Sequence, residues 1–131
     1  PGHSREHVAF HWLDAGAGFP GDLVLGRSET TWVGEYEGCV ADYLDSLERL
    51  RALRCSVLYP THGPSLEDPD RTLDAFEAHR RERIRQVQET LAARPEASTD
   101  ELVAEVYGTT IPEGLEAAAA KSVEAIRDFL V

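Results

Sequence analysis

Apolar and polar positions along this chain change period several times, and each change marks an element. Val8 to Leu13 alternates imperfectly and is rich in apolar and aromatic residues, which predicts a strand. Asp14 to Gly18 follows as a hairpin turn, because its glycines accept positive φ. Phe19 opens a second short strand, interrupted by Pro20-Gly21 and resumed at Leu23 to Leu25. From Val40 to Leu53 the period becomes helical. Tyr43, Leu44, Leu47, Leu50 and Leu53 share one stripe, with Asp45, Glu48, Arg49 and Arg51 elsewhere. Cys55 to Tyr59 predicts a short buried strand stopped by Pro60, and the proline-flanked Thr61-His62-Gly63-Pro64 predicts a tight loop.

The remainder reads as helical. Asp68-Pro69 suits a helix start, since proline is tolerated in the first turn, and the pattern runs to about Ala93 before Pro95 stops it. Ser98 with Glu101 matches a capping box for a short helix that ends at Gly108. A last helix is expected from Pro112 or Glu113 to the C-terminus. There is no internal repeat and no low-complexity tract.

Composition adds bounds. The chain has 131 residues, 42% hydrophobic and 28% charged, an ordinary globular balance that fits one domain or a small domain with an appendage. It begins with Pro1 and contains no Met, so it reads as a processed or truncated product with upstream residues missing. The net charge of −11, from 24 acidic and 13 basic residues, disfavours broad attachment to nucleic acid or anionic membranes. No apolar run approaches the ~20 residues of a membrane-spanning helix, and the first residues lack a signal-peptide pattern. Two cysteines, Cys39 and Cys55, are too sparse for a disulfide framework, which points to a cytoplasmic protein.

Three short segments combine a candidate metal ligand with small or turn-forming residues: Pro1-Gly2-His3-Ser4, Pro20-Gly21-Asp22 and Thr61-His62-Gly63-Pro64. Each places His or Asp on a loop or at a strand end. Neutral imidazole and carboxylate suit zinc and related divalent ions, and a carboxylate can bridge two cations. Taken singly, such residues are more often loop, turn or cap residues.

In order and context, these segments make the chain recognisable. The stretches PGHSREHVAF, PGDLVLG, YLDSLERL, LYPTHGP and AHRRERIRQV cover nearly its whole length and resemble the metallo-β-lactamase superfamily, in the branch of lactamase-β-2-like endoribonucleases and related thioesterases. The resemblance implies an α/β (α+β) fold. Residues 1–67 would be the C-terminal half of the αββα catalytic sandwich, and residues 68–131 a small helical, winged-helix-like subdomain without its wing. It implies His3 as the third histidine of the first metal position, Asp22 as the bridging catalytic carboxylate, and His62 as completing the second position. The family's His-x-His-x-Asp-His motif is absent, and Pro20 stands where the family usually has Thr before Gly-Asp. The resemblance also gives His7 a role supporting the site from behind, and lets His79 reach its rim or lie on a solvated helix face. His11 reads as a strand residue without a special task.

The function so implied is a metal-dependent hydrolase, in which a metal-bound hydroxide attacks an ester or thioester. Two zinc ions are expected in the complete site, with manganese or iron as alternatives. With only His3, Asp22 and His62, each ion keeps few protein ligands, so the chain alone is expected to be inactive. A small acyl substrate fits the charge better than RNA. The rival readings are an RNA-directed hydrolase, using the cluster Arg80, Arg81, Arg83 and Arg85 to hold phosphates, and a non-catalytic scaffold or dimerisation module. The cluster is more simply an exposed helix face paired with Glu77, Glu82 and Glu89. Half of a sandwich leaves an apolar sheet face to cover, so a dimer or association with the missing N-terminal half is expected.

Overall fold

The structure is a computed structural model that describes residues 1–27, 30–108 and 111–131. Strands β1 (Phe10–Trp12), β2 (Ala17–Gly21) and β3 (Val57–Pro60) form one sheet in that order. Helix α1 (Cys39–Ala52) lies between β2 and β3 in the chain, and α2 (Pro69–Ala93), α3 (Thr99–Tyr107) and α4 (Glu116–Phe129) follow. The architecture is thus mixed α/β, as expected.

The sheet's topology decides where its loops meet. β1 runs antiparallel to β2, with Phe10 opposite Phe19, while β2 and β3 run parallel, with Gly18 opposite Leu58 and Gly21 opposite Pro60. The start of β1 and the ends of β2 and β3 therefore share one edge. Loops beyond the carboxyl ends of parallel strands are where such sheets commonly hold ligands.

Both glycines of β2 serve close packing. A side chain at Gly18 would stand 2.7 Å from Leu58 Cδ2 and 2.9 Å from Cys55 Sγ, so the helix-facing side of β2 must stay bare there. On the opposite face Phe10, Trp12, Phe19 and Tyr59 are exposed, with Phe19 and Tyr59 stacked at 5.6 Å. These four side chains form an exposed apolar row on that face. On the helix side, Val24, Tyr43, Leu47, Leu58, Leu73, Phe76, Leu102 and Ile126 belong to one buried cluster that draws on both sides of residue 67.

Several boundaries differ from those expected. Asp14 to Gly18 is not all turn. A short 3-10 helix, Leu13–Ala15, ends on left-handed Gly16, and Ala17 and Gly18 already belong to β2. Leu23 to Leu25 is not a resumed strand, because the Leu23 amide closes a turn onto the Pro20 carbonyl at 3.2 Å and the Asp22 amide goes to His7. The buried Leu23 and Val24 are core anchors behind that turn. The last helix starts at Glu116 rather than at Pro112 or Glu113, since Gly114, at φ 86°, turns the chain first.

The capping box of α3 is present as read. Ser98 Oγ accepts from the Glu101 amide at 3.3 Å, and the Glu101 carboxylate accepts from the Ser98 amide at 2.8 Å. That backbone bond, with the Ser98 side chain second, holds the Glu101 carboxyl below the ordinary glutamate value. A Ser98→Ala variant is expected to lose about 1 kcal/mol in urea unfolding at neutral pH. A carboxyl with a lowered folded pKa stabilises above its unfolded pKa and stops doing so as pH falls through the folded value. The Glu101 carboxylate's share is therefore expected to fade in acid, and a Glu101→Ala deficit unchanged at low pH would contradict the reciprocal box.

Candidate metal centre

His3, Asp22 and His62 come from three separate loops and meet at the shared edge of the sheet. His3 is seated first by its neighbours. The Gly2 amide donates to the Tyr36 hydroxyl at 2.8 Å, and that hydroxyl donates to Asp42. Burial, followed by the Asp42 contact, pushes the Tyr36 phenol up to about 12, so it stays a donor. Gly2 has φ 115°, and a Cβ there would lie 2.5 Å from Tyr43 Cα, so only glycine lets this segment lie flat on α1.

The His3 ring is then oriented by the loop before α1. Nδ1 lies 3.0 Å from the Trp32 carbonyl, which can only accept, so this nitrogen carries a proton and in the neutral ring Nε2 holds the lone pair. Trp32 also sets its ring edge-on to His3 at 6.2 Å, and its indole N–H donates to the Ala118 carbonyl on α4. Thr31 Oγ1 donates to the Asp22 carbonyl at 2.8 Å, and buried Arg80 donates to the Thr31 carbonyl at 3.0 Å.

Asp22 leaves β2 just after Gly21. His7 Nε2 accepts the Asp22 amide at 3.2 Å, and the His7 ring fills the space a Gly21 side chain would need. Burial, the largest cause, holds the His7 imidazole below its ordinary value, which suits an acceptor. His7 thus supports the backbone of Asp22 and contributes no lone pair to its carboxylate. Pro20, buried in β2, supports the turn through its carbonyl.

His62 is aimed by a glycine contact. The Gly26 amide donates to the His62 carbonyl at 2.8 Å, and a Cβ on Gly63, at φ 92°, would stand 2.7 Å from Gly26 Cα. Backbone cannot yield there as a side chain would. A Gly63→Ala variant is expected to lose about 1–2 kcal/mol to left-handed strain and to displace His62. Thermal unfolding and the His62 imidazole NMR signals would read both effects. An unmoved His62 would mean that this contact does not aim it.

The resulting arrangement is two pairs sharing one carboxylate. His3 Nε2 lies 3.7 Å from Asp22 Oδ2, and His62 Nε2 lies 3.6 Å from Asp22 Oδ1. Both gaps are too long for hydrogen bonds. Asp22 Oδ1 is buried without a hydrogen-bond partner, a costly state for a carboxylate oxygen. On the His3 side a lone pair faces a carboxylate oxygen, and a cation between them would resolve the conflict. Among the described residues no three or more His, Cys, Asp or Glu stand together as a group that could hold one metal ion; His3 and His62 each approach Asp22 alone.

The chain is similar to several known proteins over most of its own length. The chain is 33% identical to the lactamase-like protein nscB of Arthroderma gypseum, over 94% of its own length and 42% of that protein. Nearly the whole chain is thus similar to part of a lactamase-like protein. It is also 27% identical to the beta-lactamase-like protein 2 homolog of Caenorhabditis elegans, over 96% of the chain and 41% of the relative. Identity is 31% to an atrochrysone carboxyl ACP thioesterase of Passalora fulva, over 85% of the chain and 34% of the relative. A metallo-β-lactamase family protein from Thermus thermophilus superposes with a TM-score of 0.82 at 24% identity, over 99% of this chain and 41% of that one, which establishes the metallo-β-lactamase fold. The match falls in the C-terminal part of such relatives, and the chain spans about two fifths of their length. No protein-family profile matches the chain.

The arginines read as one cluster divide into two sets. Arg81 and Arg85 are exposed and paired with Glu77, Glu82 and Glu89, as the simpler reading held. Arg80 and Arg83 point inward instead: Arg80 is 3% exposed, and Arg83 donates to the Val106 carbonyl. Helical spacing puts 80 and 83 on one face and 81 and 85 on another, which a count of basic residues hides. His79 lies beside Trp32 along a cleft lined by both, and half-buried His11 sits in β1 opposite Gly18. Thr31 and Trp32 were not singled out by sequence, since no motif or periodicity marks them.

Proposed function

We propose that this chain supplies one part of a two-metal hydrolase centre that acts on an acyl ester or thioester. The observation that carries the reading is the Asp22 carboxylate, with one oxygen toward His3 Nε2 and the other toward His62 Nε2. His3 and Asp22 Oδ2 would hold one divalent ion and His62 and Asp22 Oδ1 the other, with zinc the best match to imidazole and carboxylate donors. Bound there, the ions supply Lewis acidity that polarises the scissile carbonyl and eases deprotonation of water. The chain's own residues orient the donors: Trp32 fixes the His3 tautomer, His7 and Thr31 hold the Asp22 backbone, and Gly63 sets His62.

The acyl substrate is favoured over RNA because Arg81 and Arg85, the exposed cations of the cluster, already face glutamates. The thioesterase named among the relatives supports the same choice. Two-ligand seats bind weakly, so the chain by itself would show no turnover. The exposed row Phe10, Trp12, Phe19 and Tyr59 is the face on which the rest of a sandwich, or a second copy, would pack.

Zinc titration of the chain, followed by the imidazole nitrogen signals of its histidines, tests the site. His3 and His62 are expected to shift together at Nε2 while His11 and His79 stay unmoved. Shifts confined to other histidines would refute the assignment. Hydrolysis is tested with a simple acyl thioester, on this chain and on one preceded by a His-x-His-x-Asp-His segment. Turnover is expected only in the longer protein and only with metal. Turnover that survives chelation would sink the metal mechanism, and metal-dependent turnover by the 131-residue chain would sink the partial-site reading.

A further inference from the structure

A cleft of about 420 Å3 lies between α2, α4 and the loop carrying Trp32, within the size range of small-ligand pockets. Trp32, Ile111, Leu115 and Ala118 give it an apolar lining, and α2 contributes Arg80 and Arg83. Trp32 belongs to both places, since its carbonyl and ring also orient His3.

Arg80 and Arg83 are the two arginines of this lining. Neither forms an ion pair with a carboxylate among the described residues, although acidic residues outnumber basic ones by 24 to 13. Their neighbours Arg81 and Arg85 engage three glutamates between them. Arg80 donates to the Thr31 carbonyl and lies over the Tyr43 ring at 5.4 Å, and its Nε is buried without a partner. Arg83 donates to the Val106 carbonyl and to Gln86, lies over the Tyr107 ring at 5.2 Å, and also leaves a buried Nε unpartnered. Arg80 is buried and Arg83 half-buried with a buried Nε, and neither has a counter-charge among the described residues; an anion from outside would offset the cost of that burial.

We propose that this cleft binds an apolar carboxylate, its hydrophobic body against Trp32, Ile111 and Leu115 and its anionic end toward Arg80 and Arg83. The binding stands without the hydrolase reading; only the cleft's further role as the acyl pocket of the His3–Asp22–His62 centre rests on that reading. A charged end on an apolar body matches what the cleft offers, and neither half suffices alone. An uncharged ligand would leave the guanidiniums uncompensated. A small inorganic anion would leave the apolar wall wet.

The test uses the full chain with metal removed by chelation, so that its outcome is independent of the metal site. 4-Phenylbutyrate is the probe, 4-phenylbutan-1-ol the uncharged control, and the indole N–H signal of Trp32, assigned with Trp12→Phe, the readout. Saturable binding of the acid is expected, at least about tenfold tighter than the alcohol. Arg83→Gln should remove most of that preference. Leu115→Glu, at a half-exposed position where folding tolerates the change, should abolish acid binding by facing it with a like charge. No saturable shift of Trp32, equal affinity for acid and alcohol, or undiminished binding by folded Leu115→Glu would each overturn the proposal. A failed zinc titration beside intact acid binding would remove the hydrolase reading alone. Zinc binding at His3 and His62 without acid binding would remove the cleft alone.

Discussion

Replacing Asp22 by Asn is expected to abolish the zinc response of His3 and His62 in a single step, lowering the chain's zinc affinity at least about a hundredfold. Loss of an outer supporting group already costs 10–100-fold in metal sites, and among the described residues Asp22 is the one carboxylate that faces both rings. Asparagine removes the negative charge and turns one oxygen into an N–H donor. The same change should act oppositely on the metal-free fold. Without metal, Asp22 Oδ1 is buried without a partner and Oδ2 faces the His3 lone pair. Neutralising it is therefore expected to leave stability unchanged or slightly raised in urea with chelator. Destabilisation alone would lower binding and folding together, so opposite signs separate a ligand from a structural residue. An Asp22→Asn chain that still shifts both histidines with zinc would sink the shared-carboxylate arrangement.

The largest effect on folding is expected from Leu58→Ala. Leu58 is fully buried at the centre of β3, pairs with Leu66 through both backbone groups, and packs on the bare backbone of Gly18. Because Gly18 has no side chain, nothing on β2 can expand into the space a truncation leaves. A loss of about 2–5 kcal/mol follows for a cavity that collapses poorly. That is a large share of the about 5–15 kcal/mol that holds a domain of this kind together. Urea unfolding measures it, and a loss below about 1 kcal/mol would mean that the β2–β3 contact is looser than its register indicates. The consequence reaches the site, because the same register sets Thr61 against the Gly21 carbonyl at 3.2 Å and so brings His62 beside Asp22.

Much of the fold was legible because its signals are local. The α1 stripe, the Asp68-Pro69 start of α2 and the Ser98–Glu101 box each lie within one element, and each forms where periodicity and capping placed it. The misreadings fall where a long-range contact overrode a local cue. Glycine-rich Asp14 to Gly18 suggested a turn throughout, yet Ala17 and Gly18 pair with Val57 and Leu58 some 40 residues away. Leu23 to Leu25 has strand composition, yet the Leu23 amide closes a turn onto Pro20, and Leu23 and Val24 are buried in the same cluster as Tyr43.

Local sequence carries the chemistry on offer: His3, Asp22 and His62, each beside a glycine or proline that makes a loop, in an order that resembles a metallo-β-lactamase C-terminal half. It also set the helices, because a stripe and a cap are properties of neighbours in the chain. Long-range packing sets the rest: the three loops open at one edge, the two oxygens of Asp22 face different histidines, and Thr31, Trp32 and Arg80 stand behind them. Those relations span tens of residues and depend on strand direction and register. Shifting a strand by one residue would turn its side chains to the other face while leaving the sequence's local signals unchanged.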